Sequence, residues 1–187
     1  MKNLILSLAA VALLVLVACQ PVAEVEDIEE TEAPDYAGFE ANVEVLRSLL
    51  QAHCDENLDL IKNLLADTMR YSPAAYNDNQ WLGKDDFIEV LEGYHRDFEN
   101  IKYYEGIVLP DTTINGMWSG SVFPESFATG VGNNVRQYGT WTATHSASGK
   151  EIGVKWFALG NVNADGKIAS WSEYYDVNGI AAQLAEE

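Results

Sequence analysis

Acid–base chemistry needs a titratable side chain enclosed by apolar walls and a hydrogen-bond donor where charge develops. In this 187-residue chain Asp176, near the C-terminus and close to Tyr174, is of the right type for it. Asp176 directly precedes Val177-Asn178-Gly179, so it can also satisfy the free amides of a following helix. Glu173 shares an alternating set with Lys155, and that pairing reads as a surface salt bridge. His53, His95 and His145 are dispersed, and neither their spacing nor that of Cys54 suits a metal. Cys54 falls where a helix face turns inward and reads as a buried thiol. There is no nucleotide, flavin or metal motif, so any activity is expected to need no cofactor.

Those side chains must be positioned by local structure, and the periodicity gives an outline. Phe39, Val43, Leu46, Leu50 and His53 recur at helical steps. Leu58, Ile61, Leu64 and Leu65 make a shorter stripe that Asp55 or Asn57 can cap. Met69 to Ser72 reads as a short strand before Pro73, and Gly83 to Asn100 resumes helical spacing at Phe87, Leu91, Tyr94 and Phe98. Strands follow over Ile101–Leu109, Val135–His145, Lys150–Asn163 and Lys167–Val177, with a Gly/Ser/Asn-rich stretch over Asn115–Asn134. Ser146-Ala147-Ser148-Gly149 and Asn163-Ala164-Asp165-Gly166 both end on glycine, which takes a left-handed conformation at little cost, so they read as hairpin turns. A last helix is expected over Gly179–Ala185. Helices followed by an antiparallel meander indicate an α+β domain.

If both glycine turns are three-residue loops, alternation assigns the faces of the sheet. One face carries Trp141, His145, Lys155, Phe157, Trp171, Glu173 and Tyr175. The other carries Arg136, Tyr138, Thr140, Val154, Trp156, Ile168, Tyr174 and Asp176. Neither face is purely apolar, so composition leaves open which lines a pocket.

The ordered set Trp81-Leu82-Gly83-Lys84, Gly149-Lys150-Glu151-Ile152, Asp165-Gly166-Lys167-Ile168, Tyr174-Tyr175-Asp176 and Gly179-Ile180-Ala181-Ala182-Gln183-Leu184 resembles SnoaL-like domains of the nuclear-transport-factor-2-like superfamily. The resemblance implies a cone-shaped curved antiparallel sheet wrapped around N-terminal helices, a conical pocket and a homodimer across the sheet. Among the activities it implies are those of polyketide cyclases and ketosteroid isomerases, beside binding-only members. It makes Asp176 the first catalytic candidate, with Tyr71, Tyr94 and Tyr174 as donors, and Tyr71, Tyr94, Tyr138, Trp156 and Tyr174 as pocket candidates. The chain departs from SnoaL-type cyclases in having no histidine over Lys150–Asn163 and in its long Asn115–Asn134 stretch. Two functions follow: a binding module for a small apolar or amphipathic molecule, or a cofactor-free lyase or isomerase acting through Asp176.

The other end of the chain has its own chemistry. Lys2 precedes an apolar run from Leu4 to Val17 that is broken only by Ser7 and is short for a permanent span. It ends in Leu16-Val17-Ala18-Cys19, which resembles the bacterial lipobox, where the cysteine takes diacylglycerol and the peptide is cut before it. Residues 1–18 are therefore expected to be a signal peptide and Cys19 a lipidation site, with Gln20 implying outer-membrane delivery in a Gram-negative envelope. Residues 19–38 hold seven carboxylates from Glu24 to Asp35, two prolines and no basic side chain, the composition of a disordered tether. A flexible chain of that length averages on the order of 25 Å between its ends. Residues 39–187 form the domain. With 29 acidic against 11 basic side chains and a formal charge of −18, nucleic acid is an improbable partner, and the membrane contact is expected to run through acyl chains. With Cys19 lipidated, Cys54 has no partner for an intramolecular disulfide.

Overall fold

The computed structural model describes residues 37–108, 113–114, 116–119 and 134–185. The expected signal peptide, Cys19 and nearly all of the expected tether lie outside the described residues, as does most of the Asn115–Asn134 stretch.

Helix α1 (Ala37–Cys54) starts two residues before the expected Phe39 and buries Val43, Leu46, Leu49, Leu50 and Ala52. Helix α2 (Leu58–Leu64) is capped by Asn57, whose side chain accepts a hydrogen bond from the Leu60 amide. The stripe stops at Leu64, because Leu65 already has extended backbone and opens strand β1 (Leu65–Ser72). Helix α3 (Lys84–Asp97) begins where the Asp86 carboxylate accepts from the Gly83 amide at 2.8 Å. It ends before Phe98, which was expected on this helix and instead opens strand β2 (Phe98–Glu105). The short strands β3 (Ile107–Val108), β4 (Thr113–Ile114) and β5 (Met117–Ser119) lead to the long strands β6 (Asn134–His145), β7 (Glu151–Val162) and β8 (Ile168–Tyr175), and helix α4 (Val177–Ala185) follows.

The main sheet runs β1-β8-β7-β6-β2, with β5 also on β6, and β3 pairs β4 separately. All of its pairings are antiparallel except β1 with β8, which lie parallel. Helix α3 packs against both β1 and β2, the two ends of that strand order, so the sheet must curve around it. Helix α1 fills the same concave side against β2, β6 and β7. The result is the cone-shaped α+β architecture expected from the sequence.

Both turn glycines have φ of +69°, as the hairpin reading requires. The face assignment is nevertheless corrected on β7. The first turn is a four-residue loop, since the His145 amide bonds the Lys150 carbonyl and Thr144 pairs with Glu151. The second is the expected three-residue loop, closed by the Asn163 amide on the Lys167 carbonyl. A bulge then shifts β7 against β8, from Val162 opposite Ile168 to Asn161 opposite Ser170. Each shift exchanges the faces once, so β6 and the part of β8 beyond the bulge keep their relation, while every β7 side chain and Ile168 before the bulge change sides, Ile168 joining the core. Trp156 and Val154 thus join Trp141, Trp171, Glu173 and Tyr175 on the concave side. Lys155 is exposed on the other face and does not pair with Glu173.

A candidate site inside the cone

The concave face of β6–β8 and the inward faces of α1 and α3 enclose a cavity of about 90 Å³. A single water occupies roughly 10–15 Å³ on such a measure, so the space admits a small molecule. Trp141, Trp156 and Trp171 supply its largest walls, and Leu49, Leu50, Phe87 and Leu91 complete an apolar floor. The Trp141 and Trp156 rings stand at 82° with centroids 5.9 Å apart, and Trp171 is tilted 36° from Trp156 at 5.8 Å. Ile180 lines the cavity from α4. That helix is held to β7 by the Gln183 side chain, whose amide oxygen accepts from the Gly153 amide and whose nitrogen donates to the Gly153 carbonyl.

Among the described residues one carboxylate faces this space, and it is Glu173. Tyr71 donates its hydroxyl to Glu173 Oε1 at 2.6 Å, and Trp156 donates its indole N–H to Oε2 at 3.1 Å. Enclosure raises the carboxyl above the ordinary carboxylate range, and this outweighs the donors from Tyr71, Trp156 and Trp171 that favour the charged form. Among the described residues no lysine or arginine lines the cavity. The Trp171 Nε1 is buried without a partner within hydrogen-bond distance, although it lies near enough to favour the charged carboxylate. The residue keeps intermediate exposure while its carboxylate is desolvated, because its open side faces the cavity.

Beside it, the hydroxyls of Tyr94 and Tyr175 are 2.5 Å apart. Desolvation raises both phenols, so they stay protonated donors at neutral pH. Across the cavity His53 Nδ1 lies 2.8 Å from His95 Nε2, with the rings stacked 4.8 Å apart. Burial and the neighbouring imidazole hold His53 down to about 3, so it is neutral at physiological pH. Two of the histidines that looked dispersed in sequence, His53 and His95, therefore meet as a pair. Burial likewise pushes the half-buried Cys54 thiol up.

Asp176, the first catalytic candidate, is exposed. It accepts from the Gly179 amide at 2.8 Å, and its own carbonyl accepts from Ile180 at the start of α4. It is the N-terminal cap of that helix and is not among the residues that line the cavity. Of the pocket candidates, Tyr94 and Trp156 line the cavity, and Tyr71 reaches it through Glu173. Tyr138 and Tyr174 do not: both pack against Phe157 on the convex face, where Tyr174 is 57% exposed. The sequence reading missed Glu173 and Tyr175. Their signal was the Trp171-x-Glu173-x-Tyr175 alternation, a carboxylate flanked on its own face by two large aromatic residues.

No family model matches the chain, and no curated protein does either. Solved structures do match. A Catenulispora acidiphila DSM 44928 protein described as having a ketosteroid isomerase-like fold, in complex with trimethylamine, is 14% identical with a TM-score of 0.56; the match covers 75% of this chain and 91% of that one. A proposed SnoaL-like polyketide cyclase from Shewanella denitrificans OS-217 is 10% identical with a TM-score of 0.57, over 78% and 98%. The fold is nuclear-transport-factor-2-like. An M. tuberculosis LEH-like epoxide hydrolase shares this fold at 14% identity and a TM-score of 0.53, over 78% and 90%. At such identities the likeness speaks for the SnoaL-like, nuclear-transport-factor-2-like fold alone, and the chemistry rests on this chain's own residues.

Proposed function

We propose that the domain binds a small apolar or amphipathic molecule in the aromatic cavity, with Glu173 as its polar contact. The observation that carries this is a lone carboxylate, desolvated and tied to Tyr71 and Trp156, facing an otherwise apolar space. Such a space with one or two placed polar groups is the usual form of a small-molecule site. The Catenulispora neighbour, which is in complex with trimethylamine, is one instance of a small organic molecule bound on this fold.

Three indoles line the cavity, so tryptophan fluorescence reports on occupancy. Titrating the full chain with a small aromatic alcohol such as benzyl alcohol is expected to give a saturable change. Val154→Phe, which fills the space from β7, should remove it. The same response in the filled variant would place the ligand elsewhere.

A second reading is favoured by the raised proton affinity of Glu173. A carboxyl held there, beside protonated tyrosines, can exchange a proton with a bound carbon acid, as a cofactor-free lyase or isomerase requires. Solvent deuterium appearing in the ligand with the wild-type chain and not with Glu173→Gln would favour that reading over simple binding.

The domain's setting in this reading is the cell envelope, with Cys19 lipidated and the acidic tether as spacer. In a Gram-negative organism the membrane would be the outer one. Among the described residues no helix is long and apolar enough to cross a membrane. Cys19→Ala should lose labelled palmitate, and label retained in that variant would refute the anchor.

A further inference from the structure

We propose that the ligand of this cavity is an organic ammonium cation, held by the Glu173 carboxylate inside a box of indole and phenol rings. The inference rests on the small-molecule reading above and names the class of molecule.

Charge is the first consideration. Glu173 has donors on both oxygens, from Tyr71 and Trp156, and among the described residues no positive side chain shares the space with it. A carboxylate can accept about four hydrogen bonds, so acceptor capacity remains toward the cavity. Buried charges in proteins are normally paired. Among the described residues that line the cavity the countercharge is missing, and the space beside the carboxylate is where a ligand can supply it.

The walls point the same way. The electron-rich faces of Trp and Tyr attract cations, most strongly when both are removed from water, and aromatic cages are the recurrent solution for alkylated ammonium groups. Trp141 and Trp156, set at 82°, form a corner that Trp171 extends, with Tyr94 and Tyr175 beside them. A neutral hydrocarbon would be accepted by such walls but would leave the carboxylate without a countercharge. An anion would meet Glu173 and a neutral His53 and be rejected. In the empty site desolvation raises the proton affinity of Glu173, and an arriving cation favours the ionised form, so binding should lower that affinity again.

Choline and its uncharged carbon isostere, 3,3-dimethylbutan-1-ol, differ in charge at nearly constant shape. By calorimetry on the full chain, choline is expected to bind at least about tenfold more tightly than the isostere, in keeping with a desolvated cation–π contact. In Glu173→Gln, whose amide oxygen can still accept from one of the two donors, the preference should fall to about threefold or less. Wild-type choline affinity should rise with pH through the range where Glu173 titrates, a readout that does not need the variant. Equal affinity for the two probes overturns the cation assignment and leaves the small-molecule reading in place. A preference that persists unchanged in Glu173→Gln also overturns it. If neither probe binds and benzyl alcohol gives no response, both readings fall together.

Discussion

Glu173 and Asp176 are three residues apart in sequence, yet they sit in opposite electrostatic settings. Glu173 is on β8 with its side chain turned into the cone, where removal from water disfavours its charge. Asp176 has just left the strand, is exposed, and accepts an amide at the positive end of α4. The first has the environment of a functional carboxyl and the second that of a structural cap. Which role a carboxylate takes is thus decided by strand parity and by where the strand stops, not by residue type.

The contrast is broken most severely by removing what holds Glu173. Tyr71→Phe keeps the ring that packs on Phe87 at 4.9 Å and deletes only the hydroxyl on Oε1. Hydrogen bonds to charged groups contribute about 1.5–3 kcal/mol, so a loss of that order is expected at a pH where Glu173 is ionised. The carboxyl should titrate higher still, because a group that favours its charged form has gone. Urea unfolding at two pH values checks this: a loss as large at pH 4 as at pH 8 would mean that the hydroxyl serves packing alone.

The outline of the fold was legible because it rests on local rules. Helical stripes found α1 and α2, and the glycine turns found the hairpins at Gly149 and Gly166. The face of Trp156 was not legible, because it depends on a four-residue turn and on one bulge near Ala169. Neither has a residue signature strong enough to read, and either one alone inverts the strand. The same slip disguised Glu173, which appeared to face Lys155 when it in truth faces Trp156. Asp176 looked attractive because its two settings, pocket and cap, share the same short sequence.

A smaller effect distinguishes the buried groups by pH. Glu173 is raised from its usual 4.5, so the folded state binds its proton more tightly than the unfolded chain does, and stability falls as pH rises from about 4.5 toward the folded value. His53 is lowered from 6.5 to about 3, so the unfolded chain binds that proton more tightly, and stability rises with pH between about 3 and 6.5. From about 4.5 upward, as far as the lower of 6.5 and the folded value of Glu173, the two slopes oppose each other, each limited to about 1.4 kcal/mol per pH unit. Glu173→Gln should leave the histidine slope uncovered, so stability should climb more steeply with pH than in the wild type. A variant profile parallel to the wild type would mean that Glu173 titrates as it does in the unfolded chain.

The smallest effect is expected at the other carboxylate. Asn and Asp cap helices about equally well, so Asp176→Asn should cost no more than a few tenths of a kcal/mol, chiefly the loss of charge at the helix end. Asp176→Ala removes the acceptor for the Gly179 amide and should cost about 1 kcal/mol. Because α4 carries Ile180 to the cavity, the alanine variant should also weaken ligand binding slightly by loosening that wall, while the asparagine variant should not. Thermal unfolding and the tryptophan titration together separate the cases. If Asp176→Asn abolished the ligand response while leaving the melting temperature unchanged, the carboxylate charge itself would be needed at the site. The division of labour between Glu173 and Asp176 would then have to be redrawn.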